Sequence, residues 1–352
     1  MVKLYLHCGY HKTGSSFLQV MFAQNRDYLL KNKIYFPSSK EDKKMISGKI
    51  SPGNGFELVK AIRNKNRLLV NKLLKNWVDK SITNNANILF ISSEGLFHVL
   101  AELDLMNLFI EVCNELGITD ITALLFFRDP VSHVFSVFKH RGKNGEISDY
   151  RDWVKNEYET LNLTKNFLGF YKDFNIKWMF RKYSSESESM VKIAFDDFLE
   201  IKSPDIPKTE RVNISLTLSE IIMMREVKDI LPNVYLRKMH IQLSNLPLLQ
   251  KGNNDALKEY YSKITYQELK KYDNIIEEAN KLLAIDEQLQ FKQPKIKSDV
   301  DVETISLTPH QIKIFTRCID SSNSFHEKII NKTKYFIKRI KRKIKEISHE
   351  TE

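Results

Sequence analysis

The stretch from His7 to Ser16, HCGYHKTGSS, gathers residue types that hold an anion. Gly14 lets backbone N–H groups come close to an oxyanion, and the hydroxyls of Thr13, Ser15 and Ser16 add donors. Lys12 supplies a full positive charge, with His11 beside it. Behind the loop, SSFLQVMFAQNRDYLL carries apolar positions at helical spacing, so a helix there aims the positive end of its dipole at whatever the loop holds. That dipole is worth ~0.3–1 kcal/mol at an exposed site and up to ~2 kcal/mol when partly buried, before any hydrogen bond. A Lys-Thr-Gly-Ser-Ser turn that only starts a helix is the plainer reading of the same residues.

A second run, FFRDPVSHVFSVFKH from Phe126 to His140, ends an apolar stretch on Arg128. A guanidinium makes bidentate contacts to phosphate, and Ser136, two helical turns on, donates from the same side of the helix that follows. Taken alone, Arg128 with Asp129 serves equally well as a structural ion pair. The residue order in the first loop argues against an ATPase or GTPase loop. A Walker A loop places its lysine after the last glycine, as GxxxxGK[ST], whereas Lys12 precedes Gly14.

GYHKTGSSFLQ resembles the 5′-phosphosulfate-binding loop of sulfotransferases that use 3′-phosphoadenosine-5′-phosphosulfate (PAPS), and the run from Phe126 to His140 is similar to that family's 3′-phosphate-binding segment. The resemblance covers roughly residues 2 to 225, strong at these two places and faint between them. It implies an α/β fold of the P-loop NTPase-like sulfotransferase kind, PAPS as donor, the desulfated nucleotide PAP as product, and no metal. It also implies that Lys12 bridges to the leaving phosphate. A base must take the acceptor's proton, and Glu94 in FISSEGLF stands at a strand end between the two motifs, where ligand clefts open in a parallel sheet. Related enzymes carry a Glu or His near this place. In the competing reading, Ser92 or Ser93 caps the next helix and Glu94 is favoured there by the dipole.

His11 and His140 are the reserve proton carriers, and His98, one turn past Glu94, lines the acceptor cleft in this picture. RVNISLTLSE resembles a late segment of bacterial relatives, in which Arg211 returns to the 3′-phosphate while Asn213 and Ser215 steady the turn; its serines and threonine also read as a helix start. Tyr183, after IKWMFRKY, stands where an aromatic ring meets adenine, or is a core tyrosine. The chain departs from cytosolic small-molecule sulfotransferases, whose Lys-Thr-His sequence at the second strand is replaced here by Ser-Ser-Glu and whose late Arg-Lys-Gly motif is missing. A bacterial carbohydrate- or polysaccharide-type enzyme is the better match, with a carbohydrate or glycan acceptor rather than nucleic acid. Two other readings stay open: a PAP- or polyanion-binding protein without catalysis, and a P-loop kinase with a degenerate loop, which would turn over ATP with Mg²⁺.

Positioning these residues takes a sheet. VKLYLHC, NILFIS (87–92) and ITALLFF (121–127) read as buried strands, and IKWMFRKY as a further one. They alternate with helical stretches at 15–30, 56–80 and 103–116, the last closed by Gly117, which predicts a central parallel β-sheet flanked by helices. Residues 39–55 are expected to form a mobile loop, too polar for a core and placed to cover an acceptor. Residues 1–230 are expected to form the PAPS-binding core and 231–352 a helical extension.

The 352 residues can bury a substantial interior without disulfides or metal. Cys8, Cys113 and Cys318 are scattered, with no metal-ligand spacing, and are expected to be reduced. No leader sequence and no apolar run of ~20 residues is visible, which makes a cytoplasmic chain the expectation. A net charge of +11 favours anionic partners in general. Much of it lies in KTKYFIKRIKRKIKEI, where residues 333–347 space Phe336, Ile337, Ile340, Ile344 and Ile347 as one apolar face against Lys and Arg. Such a helix either lies on an anionic membrane surface or packs on the body.

Overall fold

The computed structural model describes residues 2–48, 51–144, 147–206, 216–247, 250–251, 255–294 and 307–323. In chain order, β1 (Lys3–Cys8) leads through the glycine-bearing loop into α1 (Ser15–Gln24) and α2 (Arg26–Lys31). Then come β2 (Ile34–Tyr35), α3 (Asp42–Ile46), α4 (Phe56–Arg63), α5 (Arg67–Thr83), β3 (Ile88–Ser93), α6 (Leu96–Leu100), α7 (Leu103–Glu115) and β4 (Ile121–Phe127). The chain continues as α8 (Pro130–Arg141), α9 (Tyr150–Asn156), α10 (Thr160–Phe170), β5 (Ile176–Lys182) and α11 (Ser187–Lys192). It ends, among the described residues, with α12 (Leu218–Val227), α13 (Asn233–Ser244), α14 (Asp255–Leu269), α15 (Asp273–Asn280) and α16 (Pro309–Asn323).

The residues group into two compact units, of which one holds the described residues of Met1–Pro130, Glu159–Lys208 and Lys271–Phe291. Its five strands pair in parallel throughout, in the order β2-β3-β1-β4-β5. Both faces of this sheet are covered at its centre, which is why β3 and β4 read as apolar runs. On one face Phe90, Leu124 and Phe126 pack with Leu18, Met21 and Phe22 of α1 and with Met190 and Val191 of α11. On the other, Phe127 stacks on Phe180, while Phe167 of α10 meets Trp178 and Phe180 edge-on. The chain leaves β1 toward β2 and β3 and later crosses to β4 on β1's other side. The carboxyl end of β1 is therefore the point where the winding reverses and a ligand crevice is expected.

Three features differ from the sequence reading. The helix expected over 56–80 is two helices, because Lys65 turns left-handed at φ 49° and Asn66 caps the second one, accepting from the N–H of Leu69 at 3.0 Å. The short edge strand β2 was not anticipated. Residues 39–55 contain α3, whose Met45 is fully buried, and Asp42 is held by Arg26 at 2.9 Å. Ser51, Gly53, Asn54 and Gly55 are buried as well, with Asn54 Oδ1 accepting the Ser92 N–H at 2.8 Å and the Gly55 N–H donating to the Ser92 carbonyl at 3.1 Å. Asn54 here satisfies the backbone of β3, so the segment is partly core rather than wholly exposed.

The second unit holds the described residues of Val131–Tyr158, Thr209–Lys270 and Lys292–Glu352, and is helical. Tyr150 anchors it, stacked on Tyr261 at 4.2 Å and bonded to Thr265 Oγ1 at 2.5 Å. Thr217 starts α12 with a capping box on Glu220, as the serines and threonine of that segment led one to expect. Glu220 is wholly buried, pairs with Lys251 at 3.2 Å and accepts from Gln311 Nε2 at 2.7 Å. Both units are discontinuous in sequence, and residues 271–291 group with the sheet although they lie beyond position 230. The basic segment 333–347 lies outside the described residues. Among those described, no helix is long and apolar enough to cross a membrane.

Candidate active site

Four strand ends of the sheet unit present the expected residues: the loop after β1 carries His11, Lys12 and Gly14, β3 ends at Glu94, β4 at Arg128 and β5 at Tyr183. The loop is tied to the sheet before it reaches its polar part. Gly9 donates to the Ser93 carbonyl at 3.0 Å, and a Cβ at Gly9 would stand 2.5 Å from the Cα of Glu94, so only glycine lets the two strand ends approach this closely. Tyr10 is buried against Phe97 and Phe127, with its hydroxyl 3.1 Å from Thr164 Oγ1.

This close approach puts His11 Nδ1 3.2 Å from Glu94 Oε1, and the His11 ring 4.3 Å from that of His98. Burial pushes the Glu94 carboxyl up. The hydrogen bond and charge of His11, together with the backbone N–H and charge of Lys12, outweigh that push and hold it below the ordinary carboxylate range. Glu94 is thus a carboxylate at neutral pH, the form that accepts a proton.

Lys12 adopts the left-handed conformation, φ 61°, which costs a residue with a Cβ about 1–2 kcal/mol. Its carbonyl accepts from Arg128 Nη1 at 2.6 Å, so the strained turn is held from across the sheet. The Arg128 guanidinium lies over the Tyr183 ring, 4.9 Å from its centroid, and the Tyr183 N–H donates to Phe127 at 2.7 Å. Tyr183 in turn fills the space beside Gly14, at φ 77°, where a Cβ would meet Tyr183 Cε2 at 3.2 Å. Lys12, Gly14, Arg128 and Tyr183 therefore form one connected assembly.

At the start of α1 the hydroxyl of Ser15 is buried and has no partner. The first N–H groups of any α-helix point outward without intrahelical acceptors, and no side chain caps this helix. These donors, with half-buried Ser16 and the charge of Lys12, suit an oxyanion. Thr13 was expected among them, but it is buried and its hydroxyl donates to the Tyr10 carbonyl at 2.6 Å, closing the loop on itself.

Ser136, half-buried, and His140, exposed, lie on α8 in the second unit. Arg211, Asn213 and Ser215 lie outside the described residues. His7 escaped the sequence reading as anything but loop entry. It is fully buried, with Nδ1 2.8 Å from Ser92 Oγ, and burial lowers its pKa to about 4 against the opposing pull of Glu94, so it is a neutral ring beneath the loop. Its Nε2 and both amide atoms of buried Gln19 have no hydrogen-bond partner. Among the described residues no group of three or more His, Cys, Asp or Glu side chains could hold a metal ion. No family model, no curated protein and no solved structure matches the chain.

Proposed function

We propose that this chain is a sulfotransferase that moves the sulfuryl group of PAPS onto a hydroxyl of a carbohydrate or glycan acceptor, in the manner of the bacterial carbohydrate-type enzymes its motifs resemble. The observation that carries this reading is the joining of Lys12, Glu94 and Arg128, from three separate strand ends, through the His11–Glu94 contact at 3.2 Å and the Arg128–Lys12 bond at 2.6 Å. In the proposed step the acceptor oxygen attacks sulfur in line. The bond from sulfur to the bridging phosphate oxygen breaks, a new sulfur–oxygen bond forms, and Glu94 takes the acceptor's proton. Negative charge builds on the departing phosphate oxygen, where Lys12 and the unpartnered donors at the start of α1 stabilise it. Arg128 grips the 3′-phosphate, and Tyr183 borders the nucleotide.

Transfer from labelled PAPS to a panel of purified glycans, read by mass spectrometry, tests the activity, and calorimetric titration with PAP tests the nucleotide site. Wild-type chain that binds PAP and sulfates no acceptor is a nucleotide-binding protein, and chain that gives no heat with PAP ends the proposal. Lys12→Ala is expected to lower kcat about 10²–10³-fold, since one comparable donor is worth about 3–4 kcal/mol to a transition state. Glu94→Gln is expected to keep PAP affinity and lower kcat about 10²–10⁴-fold.

A further inference from the structure

A polar network at the far edge of the sheet joins a distant segment to the strand ends that carry Arg128 and Tyr183. Asp129 accepts the backbone N–H of Gln290 at 2.6 Å and pairs with Lys182 Nζ at 3.0 Å. Lys182 donates its own N–H to Glu287 Oε2 at 2.9 Å and its ammonium to the Gln288 carbonyl at 2.9 Å. Arg181 pairs with Glu287 at 3.3 Å and with Asp197 at 2.8 Å. Leu289 exchanges hydrogen bonds with the side chain of Asn280, which folds the segment onto α15. β5 is an edge strand, and its outward N–H groups have no ladder partner; the Glu287 carboxylate supplies one to Lys182 with the added strength of a charged acceptor. These side chains are half-buried and linked in a network, where ion pairs count for more than isolated surface ones.

We infer that residues 287–290 are a strap that positions the anion loop, with Glu287 and Asp129 as its positioning residues. The path is physical at each step. The strap fixes Asp129 and Lys182; the neighbours of these two residues are Arg128 and Tyr183; Arg128 holds the Lys12 carbonyl and Tyr183 abuts Gly14. A segment well past the sequence motifs thereby sets the shape of the loop they define. Only the ligand arm of the test below rests on the sulfotransferase reading.

Hydrogen exchange by mass spectrometry on the ligand-free chain reads the inference without any nucleotide. Glu287→Ala is expected to speed exchange about tenfold in peptides covering 181–184 and also in the loop 9–14, while 88–93 in the middle of the sheet stays protected. Glu287→Gln, which keeps an acceptor oxygen for the Lys182 N–H, is expected to restore most of the protection. Faster exchange confined to 181–184, or none, overturns the inference. Should Glu287→Ala fail to fold, Glu287→Gln and Asp129→Asn are read against wild type in the same two peptides, with smaller increases expected in both and the same refutation. Calorimetry with PAP adds a second readout: about tenfold weaker binding by Glu287→Ala at unchanged stoichiometry supports the strap, and wild-type affinity in that variant overturns it. No heat with wild-type chain refutes the nucleotide reading instead, and leaves the exchange result to decide the strap.

Discussion

Gly14→Ala tests whether the loop is held by contact or only by backbone preference. At φ 77° an alanine pays the left-handed cost of about 1–2 kcal/mol, partly offset by about 0.4–1 kcal/mol from the stiffer unfolded chain. The new methyl also stands 3.2 Å from Tyr183 Cε2 and 3.4 Å from Met190 Cε. Met190 is flexible, but Tyr183 is fixed by its bond to Phe127 and by the Arg128 guanidinium on its ring, so overpacking adds about 1–3 kcal/mol. Gly117 provides the control. Its φ is 70° and nothing lies within 4 Å of a Cβ there, so Gly117→Ala carries the backbone cost alone. Urea unfolding of the two variants, followed through the sheet unit, is therefore expected to place Gly14→Ala about 1–3 kcal/mol below Gly117→Ala. In a Tyr183→Ala background that excess is expected to vanish. Equal destabilisation by the two alanines, or an excess that survives loss of the ring, refutes the claim that Tyr183 braces the loop.

The pH dependence of stability carries the sign of the Glu94 environment. Its folded pKa is depressed, so its contribution is complete above the ordinary carboxylate value of about 4.3 and lost as pH falls through the lowered value. Wild type is expected to exceed Glu94→Gln in stability at pH 7 and to converge with it in acid; a difference that persists unchanged to the lowest pH contradicts the shift. Arg128→Ala is expected to weaken adenosine 5′-phosphosulfate and PAP together through the lost Lys12 bond, and PAP by about a further tenfold through the 3′-phosphate. Losses equal for both ligands eliminate the 3′-phosphate contact. In the second unit, Lys251→Met leaves Glu220 buried with Gln311 and the Thr217 N–H as partners, and is expected to cost about 3 kcal/mol, toward the lower end for a broken buried pair. Unfolding followed by Trp153 fluorescence measures it, and a cost under about 1 kcal/mol means the pair does not hold that unit together.

What could be read from sequence was what the sheet's burial writes into it. β3 and β4 are covered on both faces, so each appears as a run of apolar residues, followed by a carboxylate in one and an arginine in the other, and these end residues belong to the candidate site. The two-residue β2 is too short to leave a pattern. In residues 39–55 polar composition does not mean exposure: one methionine, Met45, anchors α3, and Asn54 enters the interior by bonding with β3 on one side and the Pro37 carbonyl on the other. A buried asparagine with its partners supplied leaves the same letter in the sequence as a solvated one.

The strap was hidden for a related reason, and it bears on where the chemistry is controlled. Glu287, Gln288 and Gln290 are ordinary surface letters, and their partners at 129 and 181–182 are more than 100 positions away. Local pattern carries no trace of such pairing, since nothing in the spacing of either segment depends on the other. Yet the loop's strained residue, Lys12, has its carbonyl held by Arg128, and Arg128 sits between β4 and a residue that the strap grips. A turn that costs about 1–2 kcal/mol to maintain persists only where its surroundings over-determine it. On the proposed reading the motif specifies which groups meet an anion, while the network around Asp129, Lys182 and Glu287 specifies whether they are already in place when it arrives.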